Sequence, residues 1–146
     1  MPKQDAKLVD LGNYYDIQID SDGDIETEDS FDAILITSLF VDKRADESEI
    51  AVSENRRGWI GNLGYSYQIG SKLWLYYQSR ANALTAQAIT VEVKSALKFL
   101  VDDGYVKDVN VTSQAINGGI SFTVDIYRFD GNIDTKYYTL WNNTGK

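Results

Sequence analysis

The segment 86–103 constrains the fold more than any other part of the chain. It reads AQAITVEVKSALKFLVDD, follows Thr85 and precedes Gly104. Its apolar residues recur at intervals of three and four, which places them on one face of a helix. They are Ile89, Val93, Ala96, Leu97 and Leu100. We predict one long central helix at about 86–103, capped by Thr85 and ended by Gly104, with a length of about 27 Å.

The C-terminal part of the chain has the alternation of β-strands. Alternating apolar residues at 105–115 and 120–126 flank Asn117–Gly119, whose sequence NGG is typical of a hairpin turn. A second turn signal at 130–132 precedes an apolar run at 136–141. We therefore predict a C-terminal antiparallel β-meander packed against the long helix. For its last strand we favour an inner position in the sheet over an edge that pairs with another chain.

The N-terminal part combines short strands with shorter helices. The segments 14–19 and 25–28 alternate around a turn rich in Asp and Gly, which predicts an N-terminal β-hairpin. A helix is expected at 31–41, with the preceding pair Asp29–Ser30 as its cap. A further short helix is expected at 72–79. The predicted fold class is therefore α+β, with two to three helices.

Length and composition narrow the classes of function. The 146 residues suit a single domain, 1–146, with 1–12 as a flexible N-terminal arm. The net charge of −8 argues against nucleic acid and anionic membranes as partners. Without His or Cys, the chain cannot carry Ser–His–Asp or Cys–His catalysis or a typical Zn site. We expect no cofactor and no small-molecule substrate. No apolar segment suits a secretory signal or a membrane span, so we expect synthesis in a cytoplasm.

The segment 56–75, RRGWIGNLGYSYQIGSKLWL, is rich in Gly and aromatic residues. Gly allows backbone conformations that other residues resist, and Trp and Arg are frequent anchors of protein interfaces. Arg can also stack on Trp while its guanidinium binds a carboxylate, which would fix the loop. For the paired arginines beside Trp59, we favour the structural role for at least one and leave the interface role open for the other. We select five side chains as interface or structural anchors: Arg56, Arg57, Trp59, Trp74 and Trp141.

The acidic run at 20–24 does not match a calcium loop. An EF-hand needs Gly at its sixth position and a bidentate Glu at its twelfth. Counting from Asp20, Gly23 stands at the fourth position and Phe31 at the twelfth. We interpret the run as a solvated turn between strands and expect no metal site there.

Two other classes of function compete with a structural role. A carboxylate-dependent peptidoglycan hydrolase would need two acidic side chains facing each other across a sugar cleft. Glu26, Glu28 and Glu92 are the residues to nominate, although nothing in the sequence selects them. A regulatory binding domain is the third class. Activity on peptidoglycan would favour the hydrolase, and capture of large structural proteins would favour the structural role.

Four segments together resemble the phage Mu gene-product-forty-six family of contractile-tail baseplate proteins. They are SFDAILITSLFVDKRAD, RRGWIGN, IGSKLWLY and LKFLVDDGYVKDVNV. The resemblance extends from about Leu11 to Val111, in order and at the right spacing. This family is similar in turn to the baseplate wedge protein of T-even phages, once labelled lysozyme-like.

The resemblance implies a virion protein of the tail baseplate that is not an enzyme. It would be a structural subunit of the baseplate wedge and would act through protein–protein contacts. Its implied partners are other wedge proteins and the tail sheath or hub proteins. The T-even relative touches the first sheath ring through strand exchange, so the resemblance also implies a role in initiating sheath assembly.

Overall fold

The computed structural model describes residues 5–12, 14–28, 31–51, 55–64, 66 and 68–140. The chain separates into two compact units, Met1–Thr37 and Ser38–Lys146. Helices and antiparallel strands occupy separate stretches of the chain, so the predicted α+β class is confirmed. The grouping of the whole chain into one domain stays a prediction. None of the helices in the described part is both long enough and apolar enough to cross a membrane.

Four short strands form the sheets of the first unit. β1 (Asp5–Ala6) pairs antiparallel with β4 (Thr27–Glu28), and β2 (Leu8–Asp10) pairs antiparallel with β3 (Tyr15–Ile17). The predicted N-terminal hairpin is confirmed in β2 and β3. The strand paired with β3 differs from the expected one. The alternation in the sequence predicts 25–28 opposite β3, whereas β2 takes that position. β1 and β2 both lie in the segment expected to form an N-terminal arm.

The strands of the first unit meet at a junction of three residues. The Lys7 N–H donates to the Glu26 carbonyl (2.8 Å), the Gln18 N–H to the Lys7 carbonyl (3.0 Å) and the Glu26 N–H to the Gln18 carbonyl (2.8 Å). Each residue thus donates to one neighbour and accepts from the other. Beyond the junction, Ile19 bridges Ile25 across the acidic turn. The strand pairing predicted across that turn is therefore limited to the single bridge between Ile19 and Ile25.

Helix α1 (Asp32–Phe40) contains the boundary between the two units. Leu35 and Leu39 are fully buried, as expected for two positions one helical turn apart. The expected cap, Asp29–Ser30, lies outside the described residues. α1 is one residue shorter at each end than the predicted 31–41 helix, which is the usual precision of helix boundaries read from sequence.

Three short 3-10 helices follow α1, at Glu47–Glu49, Ile60–Asn62 and Leu73–Tyr76. The last of these takes the place of the α-helix predicted at 72–79. The Ser71 hydroxyl accepts the Leu73 N–H at 3.3 Å and lies against the carbonyl of Leu39. A 3-10 turn is a common form for such short helical segments.

Helix α2 (Ala83–Asp102) is the predicted long central helix. It begins earlier than expected, because the side chain of Asn82 accepts the Thr85 N–H at 2.9 Å and is the N-cap in place of Thr85. Gly104, with a φ of +77°, follows the end of the helix as predicted. Four of the five residues expected on the apolar face are buried, whereas Ala96 is half-buried and Ala86 is buried in addition; the four are Ile89, Val93, Leu97 and Leu100.

The C-terminal meander is a three-stranded antiparallel sheet in the order β5–β6–β7. Its strands are β5 (Asp108–Ile116), β6 (Gly119–Tyr127) and β7 (Ile133–Thr139). α2 packs on β5 and β6. Alternate residues of β6 supply the sheet side of this core: Ile120, Phe122, Val124 and Ile126. Asn117 and Gly118 form the predicted two-residue turn, with Gly118 at a φ of +81°.

The structure corrects the prediction for the last strand. β7 pairs with β6 alone among the strands that the structure describes, so it lies at an edge of the sheet and not inside it. Its apolar pattern has another cause. The Tyr138 ring packs against Phe122 (5.2 Å between centroids) and Phe40 (5.6 Å), whereas the Tyr137 side chain on the other face is 78% exposed.

Candidate functional site

The segment that follows α1 is bound on both sides by the Gly- and aromatic-rich loop. The Ser71 N–H donates to the Val41 carbonyl at 3.0 Å, and the Lys43 N–H donates to the Ser71 carbonyl at 2.9 Å. Further along, the Ala45 N–H donates to the Arg56 carbonyl at 3.0 Å. The loop therefore wraps an extended stretch of chain. Residues 41–46, 56–58 and 70–74 together form a joint between these segments.

Gly70 allows the closest approach within the joint. Its φ is +108°, a conformation that residues with a Cβ rarely adopt. A Cβ at this position would also lie 2.2 Å from the carbonyl oxygen of Val41. Glycine is thus required at this position both by the positive φ and by the close approach of the Val41 main chain.

Arg57 and Trp74 form the aromatic and ionic centre of the joint. The Arg57 guanidinium lies 4.9 Å from the centre of the Trp74 ring and 3.1 Å from the carboxylate of Asp42. The indole N–H of Trp74 donates to the Lys43 carbonyl at 2.9 Å. The expected combination of stacking and ion pairing is present, but the ring is Trp74 and not the adjacent Trp59. Sequence proximity suggested the wrong partner, because the hydrogen bonds between Ser71 and residues 41 and 43 bring the following turn, with Trp74, to this segment.

The backbone of Arg57 has a left-handed conformation. Its φ is +54°, and it is the only non-glycine residue with a positive φ in the described part of the chain. The Asn55 side chain accepts the Arg57 N–H at 2.8 Å, which holds this turn in place. The left-handed conformation costs about 1–2 kcal/mol. The contacts of the guanidinium offset part of this cost.

Arg56 is bound to the stretch that follows α1. Its Nε donates to the Ala45 carbonyl at 2.7 Å, and its guanidinium lies 3.5 Å from the exposed carboxylate of Glu47. Ala45 itself is fully buried. The side chain of Arg56 therefore binds neighbouring parts of the fold and is largely covered by them.

Trp59 lies at the surface of the loop. Its side chain is 43% exposed, and its indole packs over Gly61, where a Cβ would lie 2.3 Å from the ring. The neighbouring Ile60 and Leu63 are 80% and 73% exposed. These three residues make an apolar surface beside the joint. Trp141, the fifth selected anchor, lies outside the described residues.

Asn62 closes the loop that follows Trp59. Its side-chain N–H donates to the Ile69 carbonyl at 2.9 Å, and its side-chain oxygen accepts the Ile69 N–H at 2.8 Å. Asn62 is buried, so these two bonds satisfy polar groups that water does not reach. The Asn62 side chain thereby makes with the Ile69 main chain the two hydrogen bonds that a residue of a neighbouring strand would make.

A charged cluster joins the 47–49 turn to helix α2. The Lys72 ammonium lies 3.0 Å from both carboxylate oxygens of Glu49, and the Lys72 N–H donates to Glu92 at 2.7 Å. The Asp46 N–H, followed by Lys72, lowers the pKa of Glu49. Burial lowers the pKa of Lys72, but its hydrogen bond and charge interaction with Glu49 outweigh burial and raise that pKa overall.

A pocket of about 420 Å³ opens beside the joint. Arg57, Trp74 and Tyr77 lie in its wall, with Glu49 and Gln78 at other positions. Burial, followed by the charge of Asp42, raises the pKa of the Tyr77 hydroxyl. The lining side chains offer hydrogen-bonding groups, a cation and aromatic surface.

The carboxylates nominated for a hydrolase have structural contacts. Glu26 forms an ion pair with Lys7 at 3.1 Å, and Glu92 accepts the main-chain N–H of Lys72. The side chain of Glu28 is outside the described part of the molecule. Among the residues that the structure describes, no three or more acidic side chains are grouped so that they could hold a metal ion.

Sequence reasoning missed four polar residues that fix the joint: Asp42, Glu49, Asn62 and Lys72. For Glu49 a signal exists, because Asp46 and Glu49 have the spacing of a capping box and the Glu49 carboxylate does accept the Asp46 N–H at 2.7 Å. Asp42 and Lys72 have partners distant in sequence, and Asn62 bonds across an irregular loop, so no local pattern points to these three.

The region that contains the joint and helix α2 is similar to known proteins. Residues 31–133 match the model of the family described as Phage protein GP46. The chain is 35% identical over 98 residues to the baseplate protein gp46 of Escherichia phage Mu, covering 66% of this chain and 68% of that protein. It is 34% identical over 85 residues to the Mu-like prophage FluMu protein gp46 of Haemophilus influenzae, covering 58% of this chain and 57% of that protein. No solved structure matches. As the resemblance predicted, the chain belongs to the Phage protein GP46 family.

Proposed function

We propose that this protein is a structural, non-enzymatic subunit of a contractile phage tail baseplate, located in the wedge and acting through protein–protein contacts. The observation that carries the proposal is the family match over 31–133, together with a relative named as a baseplate protein. The matched region includes the whole joint and helix α2. Its location would be the virion tail, and its partners other proteins of the baseplate.

The exposed apolar residues Trp59, Ile60 and Leu63, beside the joint, are best suited to contact a wedge neighbour. Trp is a frequent hot-spot residue in protein interfaces, and large exposed apolar groups in a cluster indicate an interaction site. The joint beneath it is fixed by Arg57 and Trp74. This arrangement presents Trp59 on a rigid support, which reduces the entropy lost on binding.

The edge strand β7 is the part of the molecule that would help to initiate the sheath. The Leu140 N–H donates to the Ile120 carbonyl at 3.0 Å, which fixes the register of hydrogen-bonded pairs between β6 and β7. Because such pairs alternate along antiparallel strands, the main-chain groups of Thr135, Tyr137 and Thr139 point away from β6. They are positioned to pair with a strand from a neighbouring chain.

Purified tails test the baseplate role directly. Mass spectrometry should find the chain in tails, and particles made without it should lack a complete baseplate and an extended sheath in electron micrographs. Normal tails in its absence would contradict the proposal. Degradation of peptidoglycan by the purified chain, lost on substitution of a single carboxylate, would contradict the non-enzymatic part.

Two substitutions at Tyr137 test the sheath role of β7. Tyr137→Pro removes an outward N–H and should leave the pairing with β6 intact, since edge strands tolerate Pro where the N–H faces outward. Tyr137→Ser keeps the N–H and removes the ring. Tails carrying Tyr137→Pro should contain the chain but lack extended sheath, whereas Tyr137→Ser tails should be closer to normal. Normal sheath with both variants would refute strand pairing at this edge.

A further inference from the structure

The first unit carries the whole net charge of the protein. Residues 1–37 contain ten of the 22 Asp and Glu residues and two of the 14 Lys and Arg residues. Their formal charge is therefore −8, which equals that of the entire chain, and the second unit is neutral. Such asymmetry between parts of one chain indicates that the first unit selects its partners by charge.

The junction of Lys7, Gln18 and Glu26 divides the first unit into two faces. Because successive side chains of a strand point to opposite faces, these three residues share one face, and the Lys7–Glu26 ion pair at 3.1 Å confirms it for two of them. Their neighbours along the strands share the other face. The large apolar members of that second face are Leu8, Ile17, Ile19 and Ile25.

This isoleucine face, defined by Leu8, Ile17, Ile19 and Ile25, is open to solvent. Ile17 is 43% exposed, and Ile19 and Ile25, which bridge each other, are each 51% exposed. Isolated exposed apolar residues are normal, but adjacent β-branched side chains on one face of a small sheet indicate a contact surface.

Carboxylates surround one end of this face. The turn that joins Ile19 to Ile25 carries three of them, and Asp20 accepts the N–H groups of Asp22 and Asp24 at 2.9 and 3.0 Å. These bonds fix the turn, which carries Asp22 and Asp24 as exposed negative charges at the end of the strand segments that bear Ile19 and Ile25.

We propose that the isoleucine face docks a different tail protein, whose surface has an apolar centre bordered by Lys and Arg. The inference rests on the proposed function. A second copy of this chain is a poor occupant, since pairing would bring two units of formal charge −8 together. A basic partner gains attraction at the rim and burial of the isoleucines at the centre.

Single-thiol labelling in purified tails tests the docking, because the chain has no Cys of its own. Ile17→Cys places a thiol on the isoleucine face, and Asp16→Cys places one on the opposite face of the same strand. Both positions are exposed. The thiol from Ile17→Cys should react with a maleimide on the order of tenfold more slowly in tails than in the free chain, as expected in a water-excluding interface. The thiol from Asp16→Cys should change much less.

Carbodiimide cross-linking of wild-type tails identifies the chemistry of the occupant. Asp22 or Asp24 should be joined to Lys residues of a different tail protein. Cross-links between two copies of this chain would overturn the proposal. It would also be overturned by cross-links to Lys residues of the chain's own second unit, if the thiol from Ile17→Cys already reacts slowly in the free chain. Equal labelling rates for the thiol from Ile17→Cys in tails and in the free chain would also overturn the docking proposal. This result would leave the proposed baseplate role intact. Absence of the chain from tails would overturn both.

Discussion

The guanidinium of Arg57 lies 4.9 Å from the centre of the Trp74 ring, and each residue has a second contact on the segment after α1. Arg57 pairs with Asp42 at 3.1 Å, and the Trp74 indole donates to the Lys43 carbonyl at 2.9 Å. The two side chains thus connect the loop, the 73–76 turn and the end of α1. Each contact contributes a modest free energy, but all of them depend on the same backbone arrangement.

Trp74→Phe should lower the free energy of unfolding by about 1–2 kcal/mol, because it removes the hydrogen bond to Lys43 and weakens the cation–π contact. Trp59→Phe is the matched control. Trp59 is 43% exposed, so the same change should cost roughly 0.5 kcal/mol or less. Urea unfolding followed by circular dichroism measures both. Equal losses would show that Trp74 has no special role in stability.

Trp59→Ala should leave the chain folded and remove it from assembled tails, if the exposed ring is an interface anchor. A ring that was part of the core would cost about 3–5 kcal/mol on truncation. With 43% of its surface exposed, Trp59 should cost about 1 kcal/mol. Thermal melts together with the amount of the chain in purified tails give the answer. A variant that unfolds would instead assign the ring a structural role.

Gly70→Ala should be far more damaging than Gly64→Ala. Both residues have a positive φ, at +108° and +83°, so both substitutions should cost about 1 kcal/mol or more for the backbone conformation. At Gly70 the new Cβ would also lie 2.2 Å from the Val41 carbonyl, whereas at Gly64 it would meet nothing within 4 Å. We expect a total loss above about 3 kcal/mol at Gly70. Similar unfolding midpoints for the two variants would refute the close approach.

Asn62→Asp should destabilise the protein by about 1–3 kcal/mol, because a carboxylate at this buried position cannot donate to the Ile69 carbonyl. Asn55→Asp is the control. Asn55 is exposed and accepts the Arg57 N–H, which a carboxylate also does, so its loss should be roughly 0.5 kcal/mol or less. Chemical denaturation at pH 7 compares the two. A stable Asn62→Asp variant would mean that the Ile69 carbonyl finds another donor.

The Glu49–Lys72 pair should make stability depend on pH at both extremes. The pKa of Glu49 is lowered from 4.5, chiefly by the Asp46 N–H, so its contribution is present above pH 4.5 and is lost as pH falls through the lower folded value. Although burial lowers the pKa of Lys72, Glu49 raises it above 10.5, so that contribution is present below pH 10.5 and is lost as pH rises through the higher folded value.

Glu49→Gln tests the acidic limb of this dependence. The difference in unfolding free energy between wild type and Glu49→Gln should be largest near neutral pH and shrink below pH 4.5. Glu47→Gln removes the same charge from a side chain that is 88% exposed and should have little effect on stability. A difference for Glu49→Gln that stays constant from pH 7 to pH 3 would show that the carboxylate charge does not stabilise the fold.

Local patterns were sufficient for the elements whose order is set by neighbours in sequence. The spacing of Ile89, Val93 and Leu97 predicted α2 and its buried face, because a helix repeats every 3.6 residues. The NGG turn and the alternation at 120–126 predicted the β5–β6 hairpin, since a two-residue turn fixes the register of both strands. The missing His and Cys removed whole classes of catalytic chemistry without any reference to a fold.

Only the tertiary structure decided which distant groups meet. The sequence offered Trp59 as the neighbour of Arg57, but the hydrogen bonds between Ser71 and residues 41 and 43 bring Trp74 instead. Nor did the apolar pattern of β7 distinguish an inner strand from an edge strand whose Tyr138 packs on Phe122. Strand pairing and side-chain stacking between separated segments depend on where the chain turns in space, which periodicity along one segment does not encode.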